Sequence, residues 1–213
     1  FRMSFFRQPS VRLMGTGREL LAAKADGTSL PVEIGLNPVN LDGETFVLCS
    51  LVDITYRKDA EELRAQSREL ELARQIQQNL LPREPPHQLG FDFAGRTIPA
   101  EATSGDFFDF IRRDDGTVAV VIGDVSGHGI GPAMLMAVTR SYLRALMEID
   151  SDLKTVMRQL NQHLCRDTSA RFFVTLFVAV LDPVNSLVEY SAAGHVGWHV
   201  DANGSATRID STG

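Results

Sequence analysis

One long stretch without glycine or proline, residues 57–81, separates two parts of the chain that are rich in turn signals. It is rich in Glu, Arg, Gln, Leu and Ala, which favour a helix, and Pro82 ends it. Its apolar positions are Leu63, Leu70, Ala73, Ile76 and Leu80. This spacing nearly fits a heptad, with a change of phase near Ala73. The pattern predicts a two-stranded coiled coil linking two domains; the alternative is a solvated helix packed on its own domain.

The part before this helix, residues 1–56, has the pattern of a small antiparallel sheet. Turn signals at residues 25–28 and 41–44 separate alternating or continuous apolar runs of strand length. We expect about three strands. A sheet of that size has a thin core, so this part alone is expected to be only marginally stable.

The part after the helix combines strand and helix patterns. Strand-like residues 106–112 and 117–123 flank a turn, and a helix follows from Pro132 to about residue 148. A second helix is expected from near Ser151, followed by strands over residues 172–181 and 187–192. Hairpins flanking consecutive helices predict the α+β class.

The turn at residues 114–116 fits a three-residue hairpin loop closed by a left-handed glycine. In that register Asp106 lies directly opposite Asp124, whereas a two-residue loop would set Asp106 opposite Val125. Opposed carboxylates repel, so the pair indicates a site for Mg²⁺ or Mn²⁺, with roles as loop-capping residues as the alternative. Asp109 is an odd number of residues away and should face the other side of the strand, so we rank it below the pair.

A glycine-rich turn follows the second carboxylate. After Asp124 come Gly127, His128 and Gly129, and glycines there let the backbone approach a ligand closely. His128 is either a general acid or an exposed loop histidine. His195 ends a strand and is either structural or a support for the ligands.

Composition excludes several classes of function. The 21 basic and 27 acidic residues give a net charge of −6, which argues against nucleic acid or an anionic membrane as the main partner. Cys49 and Cys165 are the two cysteines and lie far apart, which argues against a zinc site or a disulfide framework and favours the cytoplasm. The longest apolar run, residues 172–181, is too short to span a bilayer.

Several ordered motifs resemble those of the stage II sporulation protein E-type phosphatases, metal-dependent serine/threonine phosphatases of the PP2C-like superfamily. They are Ser-Gly-Asp-Phe-Phe-Asp at 104–109, Gly-Asp-Val-Ser-Gly-His-Gly at 123–129, Phe-Val-Thr-Leu-Phe at 173–177 and Tyr-Ser-Ala-Ala-Gly-His at 190–195. Ala-Arg-Gln-Ile-Gln-Gln-Asn-Leu-Leu-Pro at 73–82 is similar to the segment that usually precedes this domain. The resemblance covers the chain from about residue 73 to its end.

This resemblance implies a PP2C-like α/β/β/α sandwich over residues 83–213 that holds two Mn²⁺ or Mg²⁺ ions. It implies that Asp106 and Asp124 are catalytic metal ligands, with the backbone carbonyl of Val125 beside them, and that a metal-bridging hydroxide attacks the phosphorus. Family members usually act on a phosphoserine or phosphothreonine of an anti-anti-sigma (STAS-type) protein. The substrate expected here is therefore a phosphoprotein of that type.

The chain departs from the family pattern near its end. The family supplies further metal-binding aspartates from C-terminal strands, one of them in an Asp-Gly motif, and its domain continues beyond Gly213. After His195 this chain has only Asp201 and Asp210, and neither lies in such a motif. We therefore expect that the sequence as given lacks some of the ligands needed to bind both metal ions. The alternative to an enzyme is a catalytically degenerate regulatory or scaffold protein that binds a phosphoprotein.

Residues 1–56 resemble the C-terminal half of a PAS sensor domain. Lys-Ala-Asp-Gly-Thr at 24–28 fits its hairpin, and Asp-Ile-Thr at 53–55 fits the exit into a signalling helix. The resemblance implies three parts: a partial PAS domain at 1–56, a linker helix at 57–82 and a C-terminally truncated phosphatase domain at 83–213. The linker is expected to form a homodimer and the sensor to control the phosphatase.

Overall fold

The computed structural model describes residues 12–14, 20–87, 90–99, 102–150, 152–168 and 171–212, and only the backbone of residues 12–14. The chain divides into two compact units, Phe1–Arg68 and Glu69–Gly213.

The first unit is an antiparallel sheet built around one long central strand. Its strands are β1 (Arg12–Met14), β2 (Leu20–Ala23), β3 (Ser29–Leu41) and β4 (Glu44–Asp53). The other three strands all pair with β3. Asp42 and Gly43 join β3 to β4 with φ angles of 51° and 85°, as a two-residue mirror-image hairpin turn requires. The described part holds four strands where the sequence predicts about three, because β1 and β2 are short and carry no alternating pattern.

The predicted long helix is α1 (Thr55–Leu80), and its bounds agree with the prediction of 57–81 to within two residues. The Asp53 carboxylate accepts hydrogen bonds from the backbone N–H of Thr55 at 2.9 Å and from its hydroxyl at 2.6 Å. These bonds fix the path of the chain as it enters the helix. The helix ends just before Pro82, which cannot continue it.

The second unit contains a four-stranded antiparallel sheet, in the order β5-β6-β7-β8, and a separate two-stranded hairpin of β9 and β10. Its elements after α1 are β5 (Phe107–Arg112), β6 (Val118–Val125), α2 (Ile130–Ile149), α3 (Leu153–Asp167), β7 (Val174–Asp182), β8 (Leu187–Ala193), β9 (Gly197–Val200) and β10 (Ala206–Ile209). Sequence analysis predicts all of these except β9 and β10.

The main core lies between this sheet and the two helices α2 and α3. Alternate residues of β5 and β6, among them Phe107, Ile111 and Val121, are at most 3% exposed. They share a cluster with Met136 of α2 and Val156 of α3. The other face of the same strands carries a smaller aromatic cluster around Phe93, Phe110 and Val118. Strands β5 and β6 are thus covered on both faces.

Helix α3 begins one residue later than the sequence suggests. Asp152 is its N-cap, and the carboxylate accepts a hydrogen bond from the backbone N–H of Thr155 at 3.0 Å. Ser151, near which the sequence places this start, lies outside the described residues. The predicted α+β class is confirmed by these elements. No described helix is both long and apolar enough to cross a membrane.

Candidate functional site

The β5–β6 hairpin sets the geometry of the candidate site. Its loop closes with hydrogen bonds from Arg113 N to Thr117 O at 3.0 Å and from Gly116 N to Arg113 O at 3.1 Å. Gly116 has a φ of 86°, which only glycine adopts readily. This is the predicted three-residue loop, and the two-residue alternative is wrong. Phe107 pairs with Gly123, so the next pair outward along the hairpin is Asp106 and Asp124.

The two carboxyl groups interact directly. The pKa of Asp124 is raised, first because the half-buried carboxylate loses hydration, then because of the negative charge of Asp106. A side-chain interaction with Asp106 raises this pKa further, whereas an electrostatic interaction with His195 lowers it.

A backbone carbonyl lies against Gly105, the residue before Asp106. A Cβ atom at Gly105 would lie 2.5 Å from the carbonyl oxygen of Val125, far inside normal contact distance. Any other residue at this position would push the carbonyl, or the backbone that carries Asp106, out of place. Because Val125 follows Asp124, the glycine allows a carbonyl oxygen to lie next to the backbone of both aspartates.

These donors fit a hard divalent cation. Two carboxylates and a backbone carbonyl are the oxygen ligands that Mg²⁺ and Mn²⁺ prefer. The charge of Asp106 raises the pKa of Asp124, and a cation between the two carboxylates would relieve this repulsion. Within the described residues, no group of three or more His, Cys, Asp or Glu side chains could hold a metal. A metal site therefore stays a prediction that rests on Asp106, Asp124 and the Val125 carbonyl.

Thr175 connects the next strand to the pair. It lies directly opposite Asp124 in the β6–β7 register. Its Oγ1 is 3.0 Å from Nδ1 of His195 and 3.5 Å from the backbone oxygen of Asp124. Sequence analysis gives His195 a supporting role but does not name Thr175. The available signal was a single polar residue inside the apolar run 172–181.

The glycine-rich turn after β6 adopts a conformation that needs its glycines. Gly127 and Gly129 have φ angles of 96° and 87°. His128 is exposed between them, and Gly129 precedes the first residue of α2. Ser126 anchors the turn to the residue just before β7, since its N–H donates to Phe173 O at 2.9 Å. A role of the turn in substrate binding stays a prediction.

Comparison with known proteins gives a match to one family over part of the chain. Residues 114–213 match the model of the family described as stage II sporulation protein E (SpoIIE). The matched region begins in the β5–β6 loop and contains Asp124, the glycine-rich turn and Thr175.

Similar proteins include two named phosphatases of Bacillus subtilis. The chain is 30% identical over 127 residues to phosphoserine phosphatase RsbU and 32% identical over 133 residues to phosphoserine phosphatase RsbP. Each match covers 60% of this chain, but only 38% of RsbU and 32% of RsbP. The chain thus spans about a third of the length of these relatives. A crystal structure of the RsbU and RsbW domains of Rv1364c from Mycobacterium tuberculosis is 27% identical, with a TM-score of 0.48, over 55% of this chain and 32% of that chain.

Asp109 lies on the helix-covered face of the four-stranded sheet, away from the pair, as its odd spacing predicts. It is 1% exposed and forms ion pairs with two arginines of α2. Arg144 donates from Nε to Oδ2 at 2.6 Å and from Nη2 to Oδ1 at 2.8 Å, and Arg140 Nε lies 2.9 Å from Oδ2. Sequence analysis missed both arginines, although their spacing of four residues places them on one face of a helix.

The two C-terminal aspartates have local partners. Asp201 accepts hydrogen bonds from the backbone N–H groups of Asn203 at 2.9 Å and Ser205 at 2.8 Å, within the β9–β10 turn. Asp210 forms an ion pair with Arg208 at 2.7 Å. Both side chains therefore stabilise local structure near the β9–β10 hairpin.

Proposed function

We propose that this chain is part of a metal-dependent protein serine/threonine phosphatase of bacterial signalling. The observation that carries the proposal is Asp106 opposite Asp124, with the Val125 carbonyl against Gly105, the residue before Asp106. The match of residues 114–213 to the SpoIIE family model supports it, as does similarity to two named phosphoserine phosphatases. The substrate class is therefore a phosphoserine or phosphothreonine in a protein.

The chemistry follows from the donors present. Asp106, Asp124 and the Val125 carbonyl would hold Mn²⁺ or Mg²⁺, of which the complete domain is expected to bind two ions. When bound, the ions activate water as the nucleophile and neutralise the charge that develops on the phosphoryl group. The β5–β6 register keeps the two carboxylates on one face of the hairpin. Thr175, bonded to His195, supports the backbone of Asp124 from the neighbouring strand.

The substrate protein and the sensor domain are proposed from the family resemblance. The substrate would be an anti-anti-sigma (STAS-type) phosphoprotein, and residues 1–56 would be part of a PAS sensor that controls its dephosphorylation. We also propose a cytoplasmic location, which the free thiols of Cys49 and Cys165 support.

Metal removal tests the proposed activity. The full-length protein with Mn²⁺ should release phosphate from a phosphoserine-bearing STAS-type protein, measured as inorganic phosphate over time. EDTA should abolish the release and excess Mn²⁺ should restore it, because the proposed nucleophile depends on the metal. Stoichiometric binding of the phosphoprotein without phosphate release at any Mn²⁺ concentration would instead support the regulatory or scaffold alternative.

We further propose that α1 forms a homodimeric coiled coil. Leu63, Leu70 and Ile76 are 67%, 39% and 57% exposed, and the first two are one heptad apart. Leu63→Glu with Leu70→Glu should convert a dimeric full-length protein to a monomer in light scattering, because charges at the seam cannot be buried unpaired. Glu61→Gln with Glu69→Gln, at exposed polar positions of the same helix, should leave the dimer intact. A monomeric unmodified protein would contradict the proposal.

A further inference from the structure

Gln77 is a buried polar residue near the end of α1. It is 9% exposed, whereas its neighbours Ile76 and Gln78 are exposed. Its side-chain amide bonds both backbone groups of one residue: Nε2 donates to Ser104 O at 2.6 Å, and Oε1 accepts from Ser104 N–H at 3.0 Å. A primary amide has one acceptor and one donor group, and here both face the same peptide backbone. The contact therefore fixes the position and the orientation of Ser104.

Ser104 is two residues before the candidate ligand Asp106, and a hydrogen bond joins the two residues. Ser104 Oγ accepts a hydrogen bond from the backbone N–H of Asp106 at 3.0 Å. Gly105, between them, makes the close approach to the Val125 carbonyl. The segment 104–106 is thus held by α1 at one end and aligned with β6 at the other. Asp106 itself lies just before β5 and is exposed, so the strand alone does not hold it.

A buried amide is stable only when its hydrogen bonds are made, so the simplest role for Gln77 is to help α1 pack. The hydrogen-bond partner of Gln77 suggests a further role. Within the described residues, the amide has no hydrogen bond to a core side chain or to another helix. Its partner is the backbone of Ser104, two residues before a candidate metal ligand. It also belongs to segment 73–82, which the proposed chemistry leaves without a role.

We propose that Gln77 is a positioning residue that holds Asp106 in place opposite Asp124 and so sets the metal affinity of the site. The proposal rests on the proposed function, because it assumes that Asp106 and Asp124 bind a divalent cation. It gives the end of α1 a part in forming the site, through Ser104.

Two variants of the full-length protein separate positioning from packing. Gln77→Met keeps the length and helix preference of the side chain but removes both hydrogen bonds. Gln77→Glu keeps the shape and the acceptor but, when ionised, cannot donate to Ser104 O. Gln78→Glu is the matched control, since it makes the same chemical change on the exposed side of the same turn.

The measurement is direct binding of Mn²⁺, from the electron paramagnetic resonance signal of the free ion, below the unfolding midpoint of every variant. We expect both Gln77 variants to bind Mn²⁺ about tenfold more weakly, as is typical when a support of a metal ligand is lost. Gln78→Glu should bind Mn²⁺ like the unmodified protein. Thermal unfolding without metal gives the packing contribution separately.

The outcomes are distinguishable. Unchanged Mn²⁺ affinity in folded Gln77 variants, even with a lower unfolding temperature, would show a purely structural residue and overturn this proposal alone. An unmodified protein that binds no Mn²⁺ would overturn the proposed function and this proposal with it. Weaker binding in the Gln77 variants but not in Gln78→Glu supports positioning.

Discussion

Asp124→Asn should lower the rate of phosphate release by the metal-loaded full-length protein at least ~10³-fold. The change removes one charge and one strong ligand from a site whose metal ions supply several kcal/mol of transition-state stabilisation, and each ~1.4 kcal/mol is a factor of ten in rate. Asparagine has the same shape, so the hairpin register should not change. Because the pKa of Asp124 is raised by burial and by Asp106, ionising it disfavours the folded, metal-free protein at neutral pH. The variant should therefore be no less stable than the original without metal.

Inorganic phosphate released from a phosphoserine protein at saturating Mn²⁺ measures this effect. The matched control is Asp114→Asn, which makes the same change at an exposed position of the loop joining the two strands. Retained activity in Asp124→Asn would show that the site is assigned to the wrong residues. A loss in both variants would point to damage to the hairpin and not to the site.

Asp109→Ala should lower the free energy of unfolding of the second unit by about 3–5 kcal/mol, the usual cost of removing one partner of a buried ion pair. Asp109 is 1% exposed and Arg140 has a side chain only 13% exposed. Burial lowers the pKa of Arg140 while Asp109 raises it, so without the carboxylate a guanidinium would remain buried and uncompensated. Arg144 would also lose two hydrogen bonds that tie α2 to β5.

Amide hydrogen exchange of β5, β6 and α2 is the suitable measurement, because a chain of two units need not unfold in one step. Protection should fall across these elements in Asp109→Ala and stay unchanged in Asp114→Ala, at an exposed loop position. Equal protection in both variants would mean that the ion pairs add nothing to stability.

The part of the site predicted from sequence is the part fixed by local chemistry. A three-residue loop ending in Gly116 determines a register, and the register brings Asp106 opposite Asp124 without reference to the rest of the fold. Resemblance to a family added the Val125 carbonyl, and the structure adds the reason for its position, which is the missing side chain of Gly105.

The parts that sequence analysis missed depend on contacts between distant segments. Thr175 reaches Asp124 only through pairing of β6 with β7, across both helices. The partners of Asp109 depend on which face α2 turns toward the sheet, and the role of Gln77 depends on where α1 ends relative to Ser104. Periodicity predicts that a helix has a buried face but does not say which backbone it will meet. The short strands β9 and β10 likewise carry no pattern strong enough to mark them.

The three-residue loop between β5 and β6 also bears on the order in which the domain folds. A hairpin with a short loop costs little closure entropy and forms in roughly 1–10 μs, whereas pairing of β6 with β7 must wait for the helices between them. Asp106 and Asp124 therefore meet early, and during synthesis they can meet before the residues that form β7 have been added. The repulsion between Asp106 and Asp124 therefore opposes the first step of folding of this domain. It acts before the rest of the site has formed.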